Sequence, residues 1–329
     1  MKALALFSGG LDSTLAIKVI LEQGIEVVAL NFSSSFCCCN RAGGCGSNIK
    51  SMADKLGVKC KSIYLGQEYL DMVREPKYGY GKNLNPCIDC RIFKLKKAKE
   101  FMKKIGAYFI ITGEVLGQRP MSQHRQALKT IERESGLEGL ILRPLSAKLM
   151  PETKAESAGW VRRENLLDIS GRSRRAQMEL ATSFGIDDYP CPAGGCLLAD
   201  PQFSKRAKDA IGHGEFTLDN VELLKTGRYL RIKPSFRLSV GRDEKENNRL
   251  LAMAKGQDII FEPLNLPGPT AIGRGLFDQE VKAISCKIIA WYTAKDEPVK
   301  VKVKTFSDGR EEDIRVEAIQ ERELELLRI

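Results

Sequence analysis

Between an apolar run, Ala3-Leu4-Ala5-Leu6-Phe7, and an apolar-periodic stretch beginning at Leu11, the chain places Ser8-Gly9-Gly10-Leu11-Asp12-Ser13-Thr14. This constrains the fold more than any other segment. The apolar run reads as a strand. Leu15, Ile17, Val19 and Ile20 then recur with helical spacing up to Gly24, where the helix stops. A strand that enters a Gly-Gly turn and leaves as a helix aims backbone N–H groups and the positive helix end at one point, which suits a phosphate. The lysine of the GK[ST] phosphate loop is missing, so the segment is a different kind of phosphate loop.

Strand and helix signals keep alternating after it. Glu26–Phe32 and Lys59–Leu65 read as strands, with a helix between them that Ser47 would cap and that runs through Leu56. A loop region from Arg74 to Cys90 precedes a basic helix over Ile92–Ile105, and Tyr108–Thr112 and Leu140–Leu142 are the next strands. This predicts an α/β fold with a doubly wound parallel sheet, whose ligands gather at the carboxyl ends of the strands. The loop at 8–14, the cysteines from Cys37, Thr112-Gly113-Glu114 and Arg143-Pro144-Leu145 all follow strands and would meet at that edge. Further on, Ser173–Phe184 reads as a helix, and Asp200-Pro201 opens another with Asp200 as its cap.

Past Thr226 the texture changes to short strands (Arg228–Ile232, Arg237–Val240, Asp258–Phe261), two helices (Glu244–Lys255, Gln279–Tyr292) and a hairpin. In the hairpin Val299–Thr305 alternates and Ser307-Asp308-Gly309 turns. The expected organisation is a nucleotide domain over 1–205, a linker or helix over 206–226, and a smaller α+β domain over 227–329.

A chain of 329 residues suits two domains. No apolar stretch approaches the roughly 20 residues that span a bilayer, and the first residues begin a strand, so a cytoplasmic protein with no membrane partner is expected. The net charge of +10 fits a polyanionic partner. Residues 226–329 hold 19 Lys+Arg against 17 Asp+Glu, so the excess accompanies the phosphate loop.

Ten cysteines in such a chain point to metal or sulfur chemistry rather than to disulfides. Cys60 and Cys286 stand alone in apolar surroundings and read as core residues. Asn85-Pro86-Cys87-Ile88-Asp89-Cys90 is a CxxC set at a proline turn before a basic helix. The helix N-terminus with Arg91, Lys94, Lys96 and Lys97 would favour the thiolates. A second loop, Tyr189-Pro190-Cys191-Pro192-Ala193-Gly194-Gly195-Cys196, offers one or two more sulfurs. By themselves these residues allow a zinc site with all four thiolates, an iron–sulfur centre, or a persulfide relay between two cysteines. Cys37, Cys38, Cys39 and Cys45 sit after the second strand as a sulfur relay, a second metal site or unpaired thiols.

Ser8-Gly9-Gly10-Leu11-Asp12-Ser13-Thr14 resembles the pyrophosphate loop of the N-type ATP pyrophosphatases, or PP-loop enzymes, which transfer AMP to a carbonyl oxygen. Together with Asn-Pro-Cys-x-x-Cys, the basic helix and a later loop cysteine, it resembles the iron–sulfur-dependent tRNA 2-thiouridylase and 4-thiouridine synthase group over about residues 1–210. The Pro-Ala-Gly-Gly-Cys-Leu-Leu setting of the last cysteine departs from the usual 2-thiouridylase pattern. The resemblance implies a 4Fe–4S cluster on Cys87, Cys90 and Cys196, with Cys191 the alternative third ligand. It also implies ATP held by Ser8, Gly9, Gly10, Ser13 and Thr14, with Mg²⁺ on Asp12. Gly113 resembles the close-approach glycine near the nucleotide, and Arg143 and Lys148 are candidates to neutralise the leaving pyrophosphate.

The implied reaction is adenylation of a uridine carbonyl oxygen in tRNA and its replacement by sulfur from a sulfide or persulfide carrier. Arg91–Lys104, Arg119, Arg125, Arg162, Arg163, Arg172, Arg174 and Arg175 would supply cationic surface for the RNA. Over about 228–295, Val240-Gly241-Arg242-Asp243, Glu246-Asn247-Asn248, Asp258 and Pro267-Gly268-Pro269 are similar to the RNA-binding domain of NFACT proteins. Alternative readings are adenylation of a small molecule and a non-catalytic RNA-binding translation factor.

Overall fold

A computed structural model describes residues 1–37, 45–187, 189, 196–294 and 296–329, with backbone alone at 45–48. The chain divides into two compact units, Met1–Ala199 and Asp200–Ile329. The first runs β1 (Lys2–Leu6), α1 (Leu11–Leu21), β2 (Glu26–Ser33), α2 (Cys45–Lys55), β3 (Lys59–Tyr64), α3 (Gln67–Arg74), α4 (Cys87–Lys104), β4 (Phe109–Thr112), α5 (Arg125–Ser135), β5 (Ile141–Leu142), α6 (Lys154–Ser157) and α7 (Arg175–Ser183).

Its strands form one parallel sheet in the order β3-β2-β1-β4-β5. The period of two in β1 shows how both faces are covered. Ala3, Ala5 and Phe7 pack with Ile17 of α1 and with Ile49 and Met52 of α2. Leu4 points the other way, into Ile92, Leu95 and Met102 of α4 and Ile131 of α5. From β1 the chain winds outward through β2 and β3, then returns to β4 on β1's other side. The order therefore reverses between β1 and β4, the place where a doubly wound sheet opens a crevice for ligands.

The second unit runs α8 (Pro201–Gly212), α9 (Leu218–Leu224), β6 (Arg228–Lys233), β7 (Phe236–Val240), α10 (Glu244–Met253), β8 (Ile259–Pro263), β9 (Ala271–Gly275), α11 (Gln279–Thr293), β10 (Val299–Thr305), β11 (Glu311–Val316) and α12 (Glu321–Leu327). Its antiparallel sheet has the order β11-β10-β8-β9-β7-β6. Val281, Ile288 and Ile289 of α11 cover one face, against Leu238, Phe261 and Val301. Leu223 of α9 and Leu250 of α10 cover the other, against Ile260 and Ile272. The stretch 206–226 thus consists of helices of the second unit. Asp200 caps α8, its Oδ1 accepting from the Phe203 N–H at 2.8 Å, with Pro201 in the first turn. Among the described residues no helix is long and apolar enough to cross a membrane.

Candidate active site

The loop from Ser8 to Thr14 lies at the β1/β4 reversal. Gly9 turns it with φ +74°, a conformation that L side chains rarely adopt. The hydroxyls of Ser13 and Thr14 fold back on the turn: Ser13 Oγ donates to Gly10 O at 2.9 Å and Thr14 Oγ1 to the same oxygen at 3.1 Å. The Ser8 N–H donates to Ser13 Oγ at 3.3 Å. These two hydroxyls shape the loop. The N–H groups of Leu11, Asp12 and Ser13, in the first turn of α1, have no carbonyl four residues back in the helix and point out of its end.

Gly113, just after β4, presses on that turn. A Cβ there would stand 2.5 Å from Asp12 C and from Ser13 N, both backbone atoms that cannot rotate away. Gly113→Ala is expected to push α1 off β4, costing about 1–3 kcal/mol of stability and abolishing ATP binding, as thermal unfolding and calorimetric titration would show.

Asp12 Oδ2 accepts from Gln118 Nε2 at 3.2 Å, while its Oδ1 is buried with no hydrogen-bond partner. Glu114, 2% exposed, binds two arginines: Oε2 accepts from Arg143 Nε at 3.0 Å, and Oε1 lies 3.4 Å from Arg91 Nε. Burial would raise the Glu114 pKa, but Arg91 and Arg143 hold it below its ordinary value. Arg143 is itself 2% exposed and also paired with Glu132. Arg143, expected as a cation for the leaving pyrophosphate, is thus buried and already paired with two carboxylates. Lys148 is exposed and donates from Nζ to Glu164 O at 2.8 Å. Arg119 is exposed, yet the charges of Arg91, Cys87, Asp12 and Glu114 all act on it.

The CxxC belongs to the first turn of α4, so the helix begins five residues earlier than Ile92. Cys87 and Cys90, three apart, share one side of that turn. Asp89, buried beside them, accepts from the Lys77 and Tyr78 N–H groups at 3.0 Å each and fixes the preceding loop. The far segment is tied in by its backbone. The Leu197 N–H donates to Phe36 O at 3.1 Å and the Leu84 N–H to Leu198 O at 3.0 Å, while Asn83 Nδ2 donates to Ala199 O at 2.8 Å.

Cys196 thereby comes close enough to Cys90 and Cys37 for their charges to act on it. The buried Tyr69 hydroxyl donates to Cys90 Sγ at 3.1 Å. Burial pushes the Cys196 thiol up to about 12. Burial also raises Cys87, with Cys90 adding to the rise and Arg119 and Arg91 opposing it. The expected lowering of the Cys87 thiol is thus reversed by desolvation. Among the described residues no three His, Cys, Asp or Glu side chains converge on a single metal position. Cys38, Cys39 and Cys191 lie outside the described residues, as does the side chain of Cys45.

Several of the expected RNA-facing cations have partners. Arg163 donates to Ala147 O and Met150 O and pairs with Glu156, and Arg175 pairs with Glu179. In the second unit the motif residues hold one another. Asn247 Nδ2 donates to Gly268 O at 3.3 Å, and Asn247 Oδ1 accepts from the Thr270 N–H at 3.1 Å. Arg242 pairs with Glu246, and Asp258 with Arg274.

Residues 1–162 match the family model of the thiamine biosynthesis protein (ThiI). The N-terminal unit is a PP-loop domain. Residues 227–327 match the NFACT protein RNA binding domain, so the second unit is of that type. The chain is 24% identical to the tRNA-specific 2-thiouridylase MnmA 2 of Caldanaerobacter subterraneus subsp. tengcongensis, over 92% of this chain and 87% of that protein. It is 29% identical to the tRNA-specific 2-thiouridylase MnmA of Proteus mirabilis, over 40% of this chain and 38% of that protein. A 4-thiouridine synthetase solved as an RNA complex with bound ATP is 18% identical with a TM-score of 0.38, covering 67% of this chain and 53% of that one.

Within the PP-loop domain, the residues brought to the loop are Gly113 and, unforeseen from the sequence, Gln118, while Glu114, expected at the same edge, pairs with Arg91 and Arg143. Tyr69 joins the cysteines without any signal of its own. Cys37 was visible only as part of an ambiguous cluster.

Proposed function

We propose that this protein is an ATP-dependent tRNA sulfurtransferase. It adenylates a uridine carbonyl oxygen and exchanges that oxygen for sulfur, releasing pyrophosphate and then AMP. The observation that carries this reading is the Arg91–Glu114 ion pair, 3.4 Å, which ties the residue after Cys90 to the residue after Gly113, itself packed against the Asp12–Ser13 turn, so that the nucleotide loop and the CxxC share one edge of the sheet. The names of the relatives, matched over as much as 92% of the chain, support tRNA as the substrate.

In this reading the amides at the start of α1 bind the phosphates, and the unpartnered Asp12 Oδ1 offers a hard oxygen ligand that fits Mg²⁺. Held by Asp12, Mg²⁺ would supply Lewis-acid charge stabilisation for the phosphates. Gln118 orients the Asp12 carboxylate. Arg119 would answer negative charge developing on the phosphates. The target base has to leave its stack to reach this crevice, with the NFACT-type unit holding the RNA.

Cys87, Cys90 and Cys196 are the proposed ligands of a 4Fe–4S cluster. Cys90 acts on both Cys87 and Cys196, and three thiols linked in this way would suit the thiolate ligation of an iron–sulfur cluster. Held by these three cysteines, such a cluster would supply iron chemistry suited to presenting sulfur as a nucleophile.

The test is separation of the half-reactions. Cys87→Ser and Cys196→Ser are each expected to lose iron and thiolation while keeping tRNA-dependent pyrophosphate release. A colourless, zinc-containing protein that thiolates tRNA would overturn the cluster assignment.

A further inference from the structure

Arg143 and Lys148, the cations expected at the leaving pyrophosphate, both have partners elsewhere. Helix α7 brings other groups to that place. It lies beside α1, sharing an apolar cluster in which Leu11 and Leu15 meet Ala181 and Phe184, and the two helices run in the same direction. At the far end Lys18 Nζ is 5.7 Å from the centroid of the Phe184 ring. At the near end Gly171, which leads into α7, donates its N–H to Leu116 O at 2.8 Å, and a Cβ on Gly117 would stand 3.5 Å from Gly171 N. The residue after Gly117 is Gln118, which reaches Asp12. The start of α7 therefore lies beside the start of α1, at the phosphate loop.

The stripe that α7 turns to α1 changes character along its length. Arg174, Gln177, Ala181 and Phe184 recur at helical spacing. Ala181 and Phe184 pack as apolar residues. Gln177, one turn nearer the phosphate loop, is fully buried, yet neither its amide oxygen nor its nitrogen has a hydrogen-bond partner among the described residues. A helical side chain leans over the turn before its own Cα, so this amide is directed toward the start of the helix. There Arg174 Nε is also buried without a partner, as is Asp12 Oδ1 at the start of α1. Unanswered polar groups lower the stability of the free protein, and a leucine at 177 would avoid that cost. A polyanion seated between the two helix starts would accept from both Arg174 and Gln177, with the positive end of α7 behind it.

We propose that Arg174 and Gln177 form the pyrophosphate side of the nucleotide site, binding the β and γ phosphates of ATP. The inference rests on the reading of the protein as an enzyme that splits ATP into AMP and pyrophosphate. In that cleavage the bond from the α phosphorus to the bridging oxygen breaks and its electron pair leaves on pyrophosphate. The Arg174 guanidinium answers the charge gained there, and Gln177 holds the leaving group by its amide N–H. AMP, which lacks those phosphates, makes neither contact.

The experiment titrates the full-length protein by calorimetry, in the presence of Mg²⁺, with α,β-methylene-ATP, pyrophosphate and AMP in turn. Arg174→Gln and Gln177→Leu are each expected to bind the ATP analogue and pyrophosphate about tenfold more weakly or worse, with AMP affinity at the wild-type level. Gln177→Leu should also melt no lower than wild type, a result that a merely structural glutamine would not give. Arg175→Gln, whose side chain pairs with Glu179 on the exposed side of α7, should bind all three as wild type does.

Equal affinity of both variants for pyrophosphate would overturn the proposal. So would parallel loss of AMP binding or of melting temperature in Gln177→Leu, or equal weakening in Arg175→Gln, which would reduce the effect to general charge. A wild-type protein that binds neither the ATP analogue nor pyrophosphate would strike the ATP-dependent reading itself. Binding by the wild type with no change in the variants would strike only the role of α7.

Discussion

Asp12→Ala is expected to lower ATP-dependent pyrophosphate release by at least about a hundredfold, the scale on which removing one preorganised electrostatic group acts. The carboxylate sits at the first turn of α1, with Gln118 on one oxygen and a buried, unpartnered second oxygen. Its removal takes away the hard anionic ligand of the crevice but touches no core packing and no thiol. Iron content and melting temperature should therefore stay near wild type. Asp12→Asn keeps the shape and loses the charge, and should be nearly as inactive. Pyrophosphate assays with iron quantitation check both. Substantial activity in Asp12→Ala would show that the carboxylate does not serve the phosphates.

Glu114→Ala should have the largest effect on stability, about 3–5 kcal/mol, because it would strand the charge of Arg143 in the core. Arg143 is 2% exposed, and its remaining partner is Glu132. Arg91, immediately after Cys90, would also lose its anchor, so the CxxC turn should loosen with the fold. Glu114→Gln retains the volume but not the charge.

The pH dependence gives a sharper reading. The Glu114 pKa in the folded protein is held below its ordinary 4.5. Its stabilising contribution is thus fully present above the unfolded-state pKa and is lost as pH falls through the lower folded-state value. Glu114→Gln should lack that acid-sensitive component. Denaturant titrations of both proteins between neutral and acidic pH measure the difference.

Legibility in the sequence followed the range of the interactions. The strand, the Gly-Gly turn and the helix were readable because periodicity and turn chemistry are local. Gly113 was readable because it directly follows a strand. Gln118 reaching Asp12, Tyr69 reaching Cys90 and Glu132 reaching Arg143 are encounters that only the winding of the sheet creates, and nothing in the neighbouring residues announces them. The two carboxylates on Arg143, read from the sequence as a cation for the leaving pyrophosphate, went unseen for that reason.

The start of α4 was placed late because Pro86 and the CxxC look like a turn, although Pro86 is in fact the residue that opens the helix. Strand β9, Ala271-Ile272-Gly273-Arg274-Gly275, was silent because two glycines remove the strand signal. Gly273 is there to admit the Phe236 ring: a Cβ would lie 2.3 Å from its Cζ. The packing need that makes the residue glycine also hides the strand.

The most direct measurement supplies the anaerobically purified protein with ATP, Mg²⁺, sulfide and a uniformly unmodified tRNA transcript. Pyrophosphate and thionucleoside are then quantified together. A thiouridine formed in step with pyrophosphate, absent without ATP and absent in Asp12→Ala, is the predicted result. Pyrophosphate released on a small metabolite but not on tRNA, or sulfur entering the RNA without ATP, would contradict it.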